Sequence, residues 1–184
     1  HLVFATLHTN SAPESIIRLL DMGMDPFNFS DALLGILAQR LAKRLCSKCK
    51  QAYVPSQDEL KSMLTEYCEE LKNTANWKKD PKGSYEQVYK EWVKSFGNDK
   101  GQFTLYQPVG CEVCNNTGYK GRVGLHELLV GTDAIKKDIH EHAHVAEMFA
   151  TALEDGMRTL KQDGIEKVLQ GITDIHQVRA VCIK

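Results

Sequence analysis

No apolar run in the 184 residues approaches the roughly 18 that a membrane-crossing helix requires, so no span is expected. A surplus of charge is missing too: 23 basic residues stand against 24 acidic ones, for a formal net charge of −1 and a pI of about 6.7. Modules held by phosphate contacts normally carry a basic excess, so no nucleic-acid partner is expected. His1-Leu2-Val3-Phe4 lacks the charged leader and small-residue cleavage site of a secretory signal. Internal repeats and low-complexity tracts are absent as well. What is there is a chain with 42% hydrophobic residues, long enough for one medium domain or two small ones.

Cysteine carries the strongest pattern. Cys46-Ser47-Lys48-Cys49 and Cys111-Glu112-Val113-Cys114 are two CxxC pairs, and together they offer the four soft ligands of a closed tetrahedral Zn²⁺ site. The 61 residues between the pairs exceed the spacing of a compact zinc ribbon, so the ion would clip the neck of a long excursion. Asn115, Asn116, Gly118 and Gly121 tolerate the turns that bring backbone N–H groups to thiolate sulfurs. Lys48 and Lys50 flank the first pair and would offset its negative charge. A redox reading expects one pair beside a βαβ unit, which the flanking residues do not provide. The expected metal is therefore structural Zn²⁺, contributing on the order of 10 kcal/mol to folding. Cys68 and Cys182 are left over, as suits a reducing compartment.

Residues 2–7 form a short apolar run that suits a strand buried on both faces, with sheet partners expected upstream of His1. Residues 11–45 read as helix: Ser11 and Glu14 open one that ends near Gly23, and Asp25-Pro26 opens a second bearing Leu33, Leu37, Leu41 and Leu45. Within the excursion, Ser56 with Glu59 starts a helix, and Tyr85 to Phe96 continue at helical spacing until Gly97. Residues 103–109 suit an edge strand. Residues 122–129 are strand-like, and from Thr132 the chain reads as helical, with Thr173 capping the last helix.

Four further features are weighed for chemistry. His8 and Thr9 stand just after the first strand, at the edge where open α/β sheets bind ligands. Gly118, Gly121 and Gly124 follow cysteines and open no helix, which argues against a phosphate cradle. His140 and His144 would share a helix face, and a solvated surface with Glu141 and Glu147 explains them without a metal. Arg18 and Arg40 can reach a neighbouring subunit's phosphates or simply be solvated.

Several of these stretches together resemble one family. His1-Leu2-Val3-Phe4-Ala5-Thr6-Leu7-His8-Thr9-Asn10-Ser11-Ala12, Gln39-Arg40-Leu41, the two cysteine pairs, Thr117-Gly118-Tyr119, Glu127-Leu128-Leu129 and Met157-Arg158-Thr159-Leu160 fall in the order seen in the secretion ATPases of type II secretion and type IV pilus assembly. Residues 57–103 carry none of the motifs. The resemblance implies an α/β fragment: the end of a RecA-like nucleotide-binding core over residues 1–45, a tetracysteine zinc module over 46–122 with a helical insertion at 57–100, and a helical C-terminal region over 123–184. It implies that His8 lies near nucleotide phosphates and Arg40 near the nucleotide site, and that Cys46, Cys49, Cys111 and Cys114 hold zinc. It also implies a full-length homo-hexamer using ATP and Mg²⁺, cytoplasmic and peripheral to the inner membrane, where it meets platform and secretion or pilus proteins. No GxxxxGK[ST] loop occurs in the 184 residues, so ATP hydrolysis by this stretch alone is not expected. A free-standing zinc adaptor for protein partners is the competing expectation.

Overall fold

The structure is a computed structural model that describes residues 1–182. Its backbone is a long antiparallel ribbon, β1 (Gly35–Leu45) against β4 (Tyr119–Val130), from Gly35 opposite Val130 to Leu45 opposite Tyr119. The register shifts between Lys43 and Leu45, where β4 carries an extra residue and Gly121 takes φ +78°. A second small ladder, β2 (Gln51–Tyr53) with β3 (Leu105–Gln107), closes the neck of the excursion.

Helices cover one face of the ribbon. α1 (Ala12–Asp21) starts as expected, with the Ser11 hydroxyl accepting from Glu14 N–H, and ends before Gly23 at φ +93°. α2 (Pro26–Ala32) is capped by Asp25 but stops after seven residues. The expected helix through Leu45 is replaced by β1. A spacing of four residues is a multiple of the strand period as well as close to the helical one, so the leucine stripe fits both. Pairing with β4 decides it: Ile36, Ala38 and Ala42 face the covered side, and Leu37 and Leu41 face outward.

The excursion holds α3 (Gln57–Glu69), α4 (Ala75–Lys79) and α5 (Pro81–Phe96). Ser56 caps α3, and Asp80 with Pro81 begins α5 four residues before the helical spacing expected from Tyr85. The tail comprises α6 (Asp133–His140), α7 (Val145–Glu154), α8 (Leu160–Leu169) and α9 (Ile175–Val181). Asp174, not Thr173, caps α9; the buried Thr173 hydroxyl instead donates to the Lys43 carbonyl at 2.7 Å.

Three apolar clusters form among the described residues, the smallest being Ala42, Leu125 and Leu160. Leu64, Tyr67 and Trp92 of the excursion pack with Ile165, Val168 and Val178 of the tail. Ile16 and Phe29 pack with Leu129, Ile135, Ile139 and Met148. The excursion therefore shares a core with the tail and is not held by its neck alone. Tyr67 O–H donates to Glu166 at 2.7 Å, Glu166 also accepts from Arg158 Nε at 3.1 Å, and Arg179 pairs with Glu66.

Residues 2–7 form no strand; Leu2, Val3 and Phe4 lie in water. Strand geometry needs a ladder, and no described strand lies beside this segment. No helix among the described residues is long and apolar enough to cross a membrane.

Candidate metal centre

The two ladders meet end to end, and the four cysteines occupy the junction. Leu45 ends β1 and hands the chain to Cys46; Lys50 precedes β2; β3 leads back to Cys111; and Cys114 precedes β4. Cys46 N–H donates to the Gly118 carbonyl at 2.9 Å, which ties the two knuckles together. The first knuckle turns on Lys50 N–H to the Cys46 carbonyl at 2.9 Å, and the second is a 3₁₀ turn over Glu112–Cys114.

All four sulfurs lie within 4.8 Å of one another. Cys46 and Cys111 sulfurs are 3.9 Å apart, Cys49 and Cys114 3.8 Å, and Cys111 and Cys114 3.8 Å. A Zn–S bond of about 2.3 Å puts the corners of a sulfur tetrahedron about 3.8 Å apart. Four cysteines so placed can hold a metal ion such as zinc.

Backbone amides support the sulfurs. Gly110 N–H donates to Cys49 Sγ at 3.3 Å, and Gly118 and Cys111 N–H donate to Cys114 Sγ at 3.3 and 3.2 Å. These approaches depend on left-handed backbone: Asn115 at φ +51°, Asn116 at +58°, Gly110 at +115° and Gly118 at +79°. Burial opposes the Cys114 thiolate, but the Cys111 and Gly118 amides and the thiols of Cys111 and Cys49 bring its pKa down to about 6. At Cys49 burial wins and, with the neighbouring thiols, pushes the pKa up to about 11 despite the Gly110 amide. Cys49 and Cys114 thus differ in proton affinity, and bound metal would displace thiol protons.

Of the flanking lysines, Lys48 is exposed. Lys50 turns away from the sulfurs, donating to the Gly171 carbonyl at 2.7 Å and lying 4.2 Å over the Tyr106 ring. Tyr119, just past the second knuckle, donates to Asp174 at 2.5 Å and so fastens the junction to α9.

Residues 8–10 are tied to Arg18 and to Arg40 by one hydrogen bond each. Arg18 Nη1 donates to the His8 carbonyl at 3.0 Å, and Arg40 Nη2 donates to Asn10 Oδ1 at 3.2 Å. Arg40 sits on a strand, not on the expected helix, yet it still reaches the loop that carries His8. His140, His142 and His144 do not converge. His140 ends α6, with Nε2 2.6 Å from Ser30 Oγ and its ring against Phe27, whereas His142 sits in a turn at φ +52° and His144 precedes α7. The expected shared helix face does not form, because the chain turns between α6 and α7.

Glu127, named above only as part of a resemblance, is a structural bridge in the fold. It is 2% exposed; Oε1 accepts from Ala12 N–H at 2.8 Å and Oε2 from Leu160 N–H at 3.2 Å, so one carboxylate serves the first turns of α1 and α8. The available signal was an acid alternating with Leu125 and Leu129 on the buried face of a strand.

Comparison with known proteins gives a match to the Type II/IV secretion system protein family over residues 1–180. The chain is 39% identical to the type IV pilus assembly ATPase PilB of Thermus thermophilus, over 100% of this chain and 17% of that protein. It is 39% identical to type II secretion system protein E of Dickeya dadantii, over 97% of this chain and 29% of the relative. With the type II secretion system ATPase E of Vibrio cholerae identity is 36%, over 98% and 29%. The chain thus spans less than a third of the length of these curated relatives.

Proposed function

The chain belongs to the Type II/IV secretion system protein family, and from that premise we propose that it is the C-terminal part of a hexameric motor ATPase powering type II secretion or type IV pilus assembly. The observation that carries this reading is the family match from residue 1 to residue 180, at a chain length that leaves most of each relative unaccounted for. In this reading residues 1–45 complete a RecA-like core, 46–122 form the zinc module with its insertion at 57–100, and 123–184 form the helical region. The whole protein works in the cytoplasm against the inner membrane, in contact with its platform proteins.

His8 and Arg40 face the nucleotide. Arg40 positions the loop through Asn10, two residues from His8, and thereby sets where the imidazole stands relative to the phosphates. Burial of an arginine–amide contact against bound nucleotide would strengthen it, since charge-assisted hydrogen bonds gain as water is excluded. The four cysteines hold structural Zn²⁺, and the phosphate loop with its Mg²⁺ lies elsewhere in the full-length protein.

The experiment is steady-state ATP hydrolysis by the full-length protein, by its His8→Ala and Arg40→Ala variants, and by the 184-residue chain alone. Full-length protein turns over ATP, each variant loses about tenfold or more in kcat, and the short chain is inactive. Hydrolysis by the short chain, or full activity in both variants, contradicts the assignment.

A further inference from the structure

Hydrogen bonds of two kinds hold the segment that carries His8. Arg18 to the His8 carbonyl at 3.0 Å and the Thr9–Ser15 hydroxyl pair at 2.5 Å tie it to α1, the helix on which Arg18 and Ser15 both stand. These contacts move with α1 and leave open where α1 itself sits. Two others reach the ribbon. Arg40 of β1 donates to Asn10 Oδ1 at 3.2 Å in an exposed position, and Ala12 N–H donates to Glu127 Oε1 of β4 at 2.8 Å in the interior. We propose that Glu127 is a positioning residue for the nucleotide-facing loop: by holding the first amide of α1 it sets where His8 stands, a role that rests on the reading of His8 given above.

The carboxyl group is itself fixed from a second side. Glu127 is 2% exposed, and its other oxygen accepts from Leu160 N–H, the first amide of α8, at 3.2 Å. With one oxygen on each helix, any rotation of the side chain strands a buried amide, which costs more than an ordinary hydrogen bond contributes. Ala12 lies four residues after His8 and is fully buried, so a shift of the start of α1 carries the loop with it. A misplacement of about 1 Å at a reacting centre costs about a hundredfold in rate. A clamp that served folding alone would leave turnover per folded molecule unchanged.

The test is ATP turnover by the full-length protein carrying Glu127→Met, His8→Ala or both, with unfolding curves to establish that each variant is folded at the assay temperature. Methionine removes both acceptors at similar volume. Glu127→Met is expected to lower kcat about tenfold or more with KM for ATP little changed, and Glu127→Gln, which keeps one acceptor, to recover part of the loss. In the His8→Ala background Glu127→Met should lower kcat no further, because its effect runs through His8. If the methionine variant does not fold, the same cycle is read on Glu127→Gln. Native kcat in the folded Glu127 variant, or losses that multiply in the double variant, overturns the proposal and leaves the nucleotide reading standing. Full activity in His8→Ala overturns both.

Discussion

The Glu127 carboxylate holds the Ala12 amide at 2.8 Å across 115 residues of sequence, and with its second oxygen it holds the Leu160 amide. One buried acid therefore joins α1, the helix that follows the His8 loop, to α8 of the tail. Glu127→Ala strands two buried donors and should cost about 2–5 kcal/mol, each lost partner being worth about 1–3. Chemical denaturation measures it, and a loss below about 1 kcal/mol would contradict the bridge.

The same residue imposes a pH dependence. Burial raises the Glu127 pKa above the ordinary 4.5, although both amides oppose the shift. The folded state then binds the proton more tightly than the unfolded one, a contribution present below pH 4.5 and lost as pH rises through the folded value. Relative to Glu127→Gln, which does not titrate, the native protein should lose stability as pH climbs from 4.5. Paired melting curves from pH 4 to 8 read it directly; parallel curves would show that Glu127 does not carry this linkage.

Gly118 supports the metal centre from the backbone. Its φ of +79° is left-handed, and a Cβ there would meet the Pro108 Cβ at 2.5 Å. Gly118→Ala should lower stability by about 2 kcal/mol or more and weaken metal retention by displacing the amide that faces Cys114. Competition with a chromophoric chelator measures the second effect. Retention equal to that of the native protein would remove the amide from the account.

A buried polar link ties the excursion to the tail. Tyr67 O–H donates to Glu166, which Arg158 also meets, and burial, followed by the Glu166 carboxylate, holds the Tyr67 hydroxyl above its ordinary pKa. Tyr67→Phe should cost about 1–2 kcal/mol, and a double-mutant cycle with Glu166→Gln should give a coupling of about 1 kcal/mol. Additive losses would mean that the two groups do not interact.

What could be read from sequence differed from site to site. The cysteine quartet was legible because CxxC spacing is local and its chemistry admits few alternatives, and the turns at Asn115, Asn116 and Gly118 followed from residue type. Caps at Ser11, Ser56 and Asp25 were legible for the same reason. Residues 33–45 were misread because a four-residue leucine spacing does not distinguish strand from helix, and only the distant β4 resolves it. The run at residues 2–7 carries strand composition without a described ladder, and composition cannot supply a partner. Glu127 was missed because its partners lie 115 and 33 residues away.

The structural zinc proposed for Cys46, Cys49, Cys111 and Cys114 would fasten the neck of the excursion to the ribbon. Elemental analysis of the purified chain, paired with thermal unfolding before and after chelation, decides it. One zinc per chain is expected and, on removal, a fall in melting temperature of about 10 °C or more, since structural zinc supplies on the order of 10 kcal/mol. A chain purified without metal that melts at the same temperature as the zinc-loaded protein would contradict it.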